Sequence, residues 1–465
     1  MDRRLVHARA FAAALAALAA GCALAPPPAG DDLRKQAFPN VQIPDTWTAG
    51  PSDASQVASG WLKSFDDPAL EQLVAEAMAY NTDLRVAAAR VEAADAAARA
   101  AGATLLPQVS LYGRGGGKLS GDNSGLQGGG LFVNWELDLW GRVRATQASG
   151  VAQYEAFALD YKYARQSIAA LVAKSWFLAR EASMQRAIAL EMVAAADSLA
   201  DYSRDRVRVG NADELEVAQA EANALTYRDL VLQADLARSN ALRAIEILAG
   251  RYPSATLDAG TELPPLPGPV PVGLPSQLLE RRPDVVAAER RVALAFYNVE
   301  AAKAARLPAI KLTASVTSVT SDLLVLKEQS NPVWGVGGTL LAPIFTGGAL
   351  QAQVEVRNAE QEAALAEYRR IGSRAFGEVE NALSASFNLE NRNQVLERAV
   401  RANEQALGFA RVRYEVGSGD LRGVQQQMLA LHAAQTSYLH VQAERLIQRV
   451  NLHLALGGGF EVPTP

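Results

Sequence analysis

The chain has 465 residues, which on length alone would suit about three ordinary domains. Its composition points elsewhere: 49% of residues are hydrophobic but only 6% aromatic, and the excess is mostly alanine, which builds slim, closely packed helices. A net charge of −5, with basic residues scattered among acidic ones, leaves no basic surface for nucleic acid.

At the N-terminus, Arg3, Arg4 and Arg9 precede an apolar run from Ala10 to Ala20 that ends in Ala19-Ala20-Gly21-Cys22. A basic start, a short apolar core and small residues before a cut site describe an export signal over 1–21. The run is too short to span a membrane, which takes roughly 20 residues. Cys22 is the single cysteine, so an intramolecular disulfide is impossible. Its place after Ala-Gly resembles a bacterial lipobox, with Ala19 where Leu is preferred. That resemblance implies diacylglycerol and N-acyl lipid on Cys22. Residues 22–66 then form a lipidated N-terminal tether, and Pro, Gly, Ser and Asp between Ala25 and Gly60 predict extended chain there.

The remainder repeats itself. Asp83-Leu84-Arg85-Val86 through Leu106-Pro107-Gln108-Val109-Ser110-Leu111 recurs as Asp284-Val285-Val286-Ala287 through Leu307-Pro308-Ala309-Ile310-Lys311-Leu312, an offset of 201. Further on, Arg206, Val209, Gly210, Asp213 and Val217 recur as Arg413, Val416, Gly417, Asp420 and Val424, an offset of 207. The reading is one repeat over 67–262, a Pro-rich linker over 263–275, a second repeat over 276–459 and a short tail over 460–465. Each repeat is predicted as helix, two strands, very long helix, turn and helix.

The strands are expected at about 107–116 and 128–138, and at about 309–322 and 333–344. Leu131, Val133, Trp135 and Leu137 alternate with Phe132, Asn134, Glu136 and Asp138. Ile310, Leu312, Ala314 and Val316 alternate with Lys311, Thr313, Ser315 and Thr317. Period-two alternation marks a strand with one apolar and one polar face. The uncharged run from Gln329 to Val354 carries Pro332, Pro343 and five glycines, which favour a strand over a spanning helix. From Arg142 to Val209 no breaker interrupts about 68 residues, about 100 Å of helix at 1.5 Å per residue. Apolar or small residues at 188, 192, 195, 199 and 202 step by 4, 3, 4 and 3, the spacing of a coiled-coil seam.

Strands of this pattern cannot cross lipid as an open sheet, because edge N–H and C=O groups would go unsatisfied. Closure takes about eight strands or more. One chain supplies four, so the barrel must be shared between copies; the arithmetic allows a dimer or a trimer.

At this point a family resemblance becomes specific. The segment Leu274-Pro275-Ser276-Gln277-Leu278-Leu279-Glu280-Arg281-Arg282-Pro283-Asp284 resembles the signature of TolC-type outer-membrane efflux lipoproteins, the channel partners of resistance-nodulation-division pumps. So do Ala287-Ala288-Glu289-Arg290-Arg291, Ala302-Lys303-Ala304-Ala305-Arg306-Leu307-Pro308 and the strand-to-helix junction Trp135-Glu136-Leu137-Asp138-Leu139-Trp140-Gly141-Arg142. Phe345-Thr346-Gly347-Gly348 matches the second junction, and Ala455-Leu456-Gly457-Gly458-Gly459-Phe460 the family's ending. The resemblance implies a mainly α protein with a membrane β-barrel: a homotrimer with a 12-stranded barrel and a 12-helix periplasmic tunnel. It further implies a periplasmic adaptor, an inner-membrane transporter and outer-membrane lipid as partners, and passive exit of drugs or other small molecules.

Candidate functional residues follow. The turns Val209-Gly210-Asn211 and Val416-Gly417-Ser418 join each long helix to its return helix, and glycine past a helix end permits a left-handed cap. The resemblance makes these turns the adaptor-docking tip. It also makes Asp213, Glu214, Glu216, Asp420 and Arg422 candidates for the periplasmic gate, although Gly423 stands where many relatives carry Asp. Carboxylates in a first helical turn are expected from the helix dipole alone. The histidines His7, His432, His440 and His453 have no metal-ligand spacing. Neither Gly115-Gly116-Gly117 nor Gly335-Val336-Gly337-Gly338 carries the Lys-Ser/Thr of a phosphate loop, so the expectation is no enzyme, no metal and no cofactor beyond the lipid. The rivals are a TolC-type channel for type I protein secretion or heavy-metal efflux, and a structural periplasmic coiled-coil lipoprotein.

Overall fold

The computed structural model describes residues 25–50, 57, 59–114, 127–320 and 333–461. In chain order the elements are α1 (Gly30–Ala37), a 3₁₀ turn (Trp61–Phe65), α2 (Pro68–Tyr80), α3 (Thr82–Ala103), β1 (Gln108–Arg114), β2 (Gln127–Leu137), α4 (Arg142–Arg208) and α5 (Glu214–Leu248). They continue with α6 (Pro275–Arg281), α7 (Pro283–Ala304), β3 (Ala309–Thr320), β4 (Val333–Leu341), α8 (Ala349–Glu415) and α9 (Leu421–Ala455). The repeat is therefore exact at the level of helix length: α4 and α8 each have 67 residues, α5 and α9 each 35. Two helices, not one, precede each strand pair.

The chain divides into two compact units. The first gathers 1–41, 88–160 and 284–371 and holds the sheet. Its strands run in the order β1-β2-β3-β4, every neighbour antiparallel. Three strand ends fall short of expectation for local reasons. Pro107 has no N–H to give the ladder, and Pro343 stands just past the end of β4. Asp138 leaves β2 to accept the backbone N–H groups of Val143 and Arg144, both at 2.9 Å, which starts α4. The expected strand ends at 115–116 and 321–322 lie outside the described residues. Below the sheet, Trp135 donates its indole N–H to the Leu105 carbonyl at 2.9 Å, and Trp140 to that of Pro308 at 2.7 Å, tying the first junction to both strand starts. Gly150 lets α4 approach α3 closely, since a Cβ there would sit 3.2 Å from the Ala98 Cα.

The second unit, 42–87, 161–283 and 372–465, is a helix bundle. Trp61, Phe65, Leu70, Leu73, Trp176, Phe177, Leu242 and Ile245 are buried together in its core. Asp67 organises this core: it caps α2 through the Leu70 N–H (3.2 Å), accepts from Trp176 Nε1 (2.8 Å) and pairs with Arg180 (2.9 Å). The segment from Leu274 to Asp284 has a structural role here. Arg282 is fully buried, donates to the Ala455 carbonyl at 3.2 Å and pairs with Glu378 at 2.6 Å, so the motif fastens the end of α9.

The tether differs from the extended chain expected over Ala25–Gly60. In the first unit α1 buries Leu33 and Ala37, and Phe38 meets the edge of Tyr368 at 6.0 Å. In the second, Trp47 donates to the carbonyls of Val272 and Gly273 at 3.3 and 3.0 Å. Glu380 accepts the N–H groups of Thr48 and Ala49 at 3.0 and 2.8 Å. The Pro and Gly content forbids long regular elements here but not burial. A few large apolar side chains suffice to hold the strap down.

Candidate functional site

The first candidate surface is the sheet. Residues facing each other across an antiparallel ladder lie on one face. The register places Val109 opposite Val133, Leu111 opposite Leu131, and Trp135 opposite Leu312. Ala314 faces Val336, Val316 faces Trp334, and Ile310 faces Leu340. One face is thus apolar across all four strands. The other is mainly polar, carrying Ser110, Asn134, Glu136, Lys311, Thr313, Ser315 and Thr339, with Tyr112, Phe132, Val333 and Leu341 among them. The apolar face is not packed inside the protein: Trp334 is 76% and Val336 92% exposed. Small residues keep the polar face open. Gly335 and Gly337 lie beneath Ser315 and Thr313, and a Cβ on Gly130 would stand 2.5 Å from the Val316 carbonyl. The outer edges of β1 and β4 have no partner strand among the described residues.

The second candidate surface is the pair of turns at 209–211 and 416–418. Both helices end in the same hydrogen-bonded cap. Asn211 N–H reaches back to the Arg206 carbonyl (2.8 Å) and Gly210 N–H to that of Val207 (2.9 Å); Ser418 and Gly417 do the same to Arg413 (2.9 Å) and Tyr414 (3.1 Å). The cap requires a left-handed residue, supplied by Gly210 at φ +78° and Gly417 at φ +73°. Val209 and Val416 stand out from the turns, 69% and 71% exposed.

The gate candidates separate into roles. Asp213 is the N-cap of α5, accepting from the Glu216 N–H at 3.0 Å, and Asp420 is the N-cap of α9, accepting from the Gly423 N–H at 2.8 Å. Glu214 and Arg422 point to solvent. Glu216 is engaged: it accepts from the Tyr414 hydroxyl and pairs with Arg206 at 3.3 Å. Arg206 lies over the Tyr414 ring at 4.7 Å, and Tyr414 itself is 2% exposed, with Ser203 Oγ at 3.3 Å and the Tyr202 ring at 5.4 Å. Burial, reinforced by the neighbouring Glu216, raises the Tyr414 hydroxyl above its ordinary range. A knot of Glu216, Arg206 and Tyr414 therefore binds the first repeat's turn to the second repeat's long helix. Sequence reading found Glu216 but not Arg206 or Tyr414. The available signal was the repeat itself, because Tyr414 replaces Val207 at the equivalent position.

Of the remaining candidates, Cys22 and His7 lie outside the described residues. His432 packs against Tyr227 at 5.8 Å, His440 faces Glu181 at 3.0 Å, and His453 is buried against Trp61 at 5.8 Å. Burial pushes Glu181 up, against the pull of His440. No group of acidic, His or Cys side chains that could hold a metal is present among the described residues, and no described helix is long and apolar enough to cross a membrane.

Comparison with known proteins places these features. A family model described as outer membrane efflux protein matches residues 73–251 and 274–458. The chain is 30% identical over 439 residues to the pyoverdine export outer membrane protein OpmQ of Pseudomonas aeruginosa, covering 90% of this chain and 92% of that protein. It is 29% identical over 453 residues to the cation efflux system protein CusC of Escherichia coli, covering 95% and 96%. The solved structure of the outer-membrane channel OprN superposes with a TM-score of 0.81 at 29% identity, covering 91% of this chain and 99% of that one.

Proposed function

This chain belongs to the outer membrane efflux protein family, and from that premise we propose that it is the passive exit duct of a tripartite efflux pump. The observation that carries the proposal is the sheet: four antiparallel strands with one continuous apolar face, one mainly polar face and two outer edges without a partner strand among the described residues. In lipid such a sheet is stable only when closed. The outer strands β1 and β4 run in opposite directions, so β4 of one copy can pair with β1 of the next and keep the whole barrel antiparallel. Three copies make the 12 strands that the family resemblance implies. The polar face then lines a water-filled bore and the apolar face meets lipid.

Around this duct the proposal assigns further parts. Cys22 carries the lipid that holds the chain to the outer membrane. The turns at Gly210 and Gly417 meet a periplasmic adaptor, with Val209 and Val416 as their apolar points. An inner-membrane resistance-nodulation-division transporter supplies the energy, and the duct itself performs no chemistry. The knot of Glu216, Arg206 and Tyr414 holds the periplasmic end closed, with the two repeats drawn together by a charge-assisted hydrogen bond.

The test is susceptibility profiling of a deletion strain, complemented with the wild-type chain or with Gly210→Val/Gly417→Val. Hypersensitivity to several unrelated toxic small molecules, rescued by the wild type and not by the double turn variant, is the expected result. Unchanged susceptibility to every compound contradicts the efflux role. Similarity to CusC favours a second reading, a channel for cation export; hypersensitivity confined to metal ions would select it.

A further inference from the structure

At the foot of the sheet, beside the first strand-to-helix junction, the mainly polar face carries two charges directly opposite each other. The ladder pairs Glu136 of β2 with Lys311 of β3, and Lys311 with Thr339 of β4. Opposite charges so placed across an antiparallel pair ordinarily attract. Here the carboxylate is taken by a different partner. Arg142, the first residue of α4, donates from both Nε and Nη2 to one oxygen of Glu136, at 3.0 and 2.9 Å. The other carboxylate of the junction is committed as well. Asp138 has a side chain only 9% exposed, and it receives the N–H groups of Val143 and Arg144 and the Arg144 guanidinium at 3.1 Å.

Lys311 is thereby left with its charge uncancelled. No ion pair among the described residues includes it, and the residue is exposed. Its neighbours on this face, Asn134, Thr313 and Thr339, carry no charge. The two repeats differ at this level, which is why the charge has no counterpart. Ser110 stands in the first repeat where Lys311 stands in the second, and the second junction, from Ala342 to Gly348, has no charged residue. Glu136 and Arg142 cancel each other, and one ammonium per chain remains.

We propose that Lys311 forms, with its counterparts in the other copies, a cationic collar at the foot of the barrel that draws small anions into the bore. The inference rests on the shared-barrel reading, in which the mainly polar face lines the bore, and adds to it the class of solute that the bore favours: molecules carrying a carboxylate or another anionic group. A ring of like charges on a pore wall sorts ions by sign, and a low-dielectric wall focuses its field into the water it encloses. With a screening length of about 10 Å at 0.1 M salt, the field of each ammonium extends well beyond the wall. Arg142 sets the strength of the collar by keeping Glu136 away from Lys311, and so acts as a positioning residue.

The test is the reversal potential of the purified full-length chain in a planar bilayer under a potassium chloride gradient, for the wild type and for Lys311→Met, Lys311→Arg and Glu136→Gln. Lys311→Met is expected to lower the anion-to-cation permeability ratio by about twofold or more at 0.1 M salt, and by less at higher salt. Lys311→Arg is expected to hold the wild-type ratio, and Glu136→Gln, which leaves Arg142 and Lys311 both uncancelled, to raise it. Steric effects of the substitutions would not move the ratio in opposite directions for Lys311→Met and Glu136→Gln. Should Lys311→Met fail to assemble, Lys311→Gln gives the same reading. Conducting channels whose ratio is the same with and without Lys311, or is lowered by Glu136→Gln, overturn the collar and leave the duct standing. A wild-type chain that conducts under no condition overturns the duct and the collar together.

Discussion

The two helical hairpins, α4–α5 and α8–α9, are built on one backbone plan and held by different side chains. Each long helix ends in a left-handed glycine, Gly210 or Gly417, and each return helix begins with an aspartate cap, Asp213 or Asp420. Each return helix also ends alike, with Gly250 at φ +73° and Gly457 at φ +71°. Side chains at equivalent positions diverge. Val207 in the first repeat is Tyr414 in the second, the residue that reaches Glu216. Glu246, whose carboxylate receives the N–H groups of Ala255 and Thr256 at 2.7 and 3.0 Å, is replaced by His453, buried on Trp61 with no hydrogen-bond partner for its Nδ1. Surface ion pairs also differ: Arg186–Asp235, Arg228–Asp197 and Arg204–Glu221 run along the first hairpin. In the second, Arg445 pairs with Glu390, and near the turns both hairpins share one packed core, in which Met192 and Tyr227 of the first join Leu407, Tyr414, Leu421, Val424 and Met428 of the second. Backbone devices are what the architecture demands of both copies; side chains are where the copies take separate duties.

The largest test of that division is truncation at the paired positions. Tyr414→Ala removes a buried ring and is expected to destabilise by about 3–5 kcal/mol. Val207→Ala, half-buried, is expected to lose about 1 kcal/mol. Urea unfolding of the purified variants reads the difference, and equal losses would erase the asymmetry.

Next in size is pH. Burial, aided by Arg449, lowers His453 to about 4 from its ordinary 6.5. The unfolded chain takes up that proton first as pH falls. Stability is therefore flat above 6.5, declines between 6.5 and 4, and loses about 3 kcal/mol in all. His453→Leu should flatten this window. At the first repeat's equivalent position burial opposes ionisation of Glu246, but backbone donors from Ala255, Thr256 and Leu257 outweigh it and hold the carboxyl below its ordinary 4.5. Its contribution is present above 4.5 and is lost only as pH falls below that value. Thermal melts from pH 7.5 to 4 with Glu246→Gln and His453→Leu should separate the two ends of the hairpins.

The shared devices should behave alike. Asp213→Ala and Asp420→Ala each remove an N-cap and are expected to lose about 1 kcal/mol. A several-fold difference between them in urea unfolding would show that the plan is not common to both. Smallest is the ion-pair ladder: Arg228→Ala, at an exposed pair, should change stability by no more than about 1 kcal/mol, and less in high salt.

Much of this was legible in the residues. The repeat, the alternating strands and the breaker-free helices are local patterns, and the glycine and aspartate caps are required by backbone geometry wherever a helix of this kind ends. Features made by distant partners were not legible. The strap's burial depends on Trp47 finding carbonyls at Val272 and Gly273. The tip knot depends on Arg206, Glu216 and Tyr414 converging from three helices. Neither contact leaves a periodic trace. Asp213 and Asp420, gate candidates by position, also cap the return helices by accepting the N–H groups of Glu216 and Gly423.

The most direct test of the central claim, a duct shared between copies and closed at its tip, is single-channel recording of the purified chain in a planar lipid bilayer. The account predicts discrete, small conductance steps for the wild type and larger steps for Glu216→Gln with Tyr414→Phe. A protein that inserts but conducts under no condition, with or without those substitutions, would contradict it.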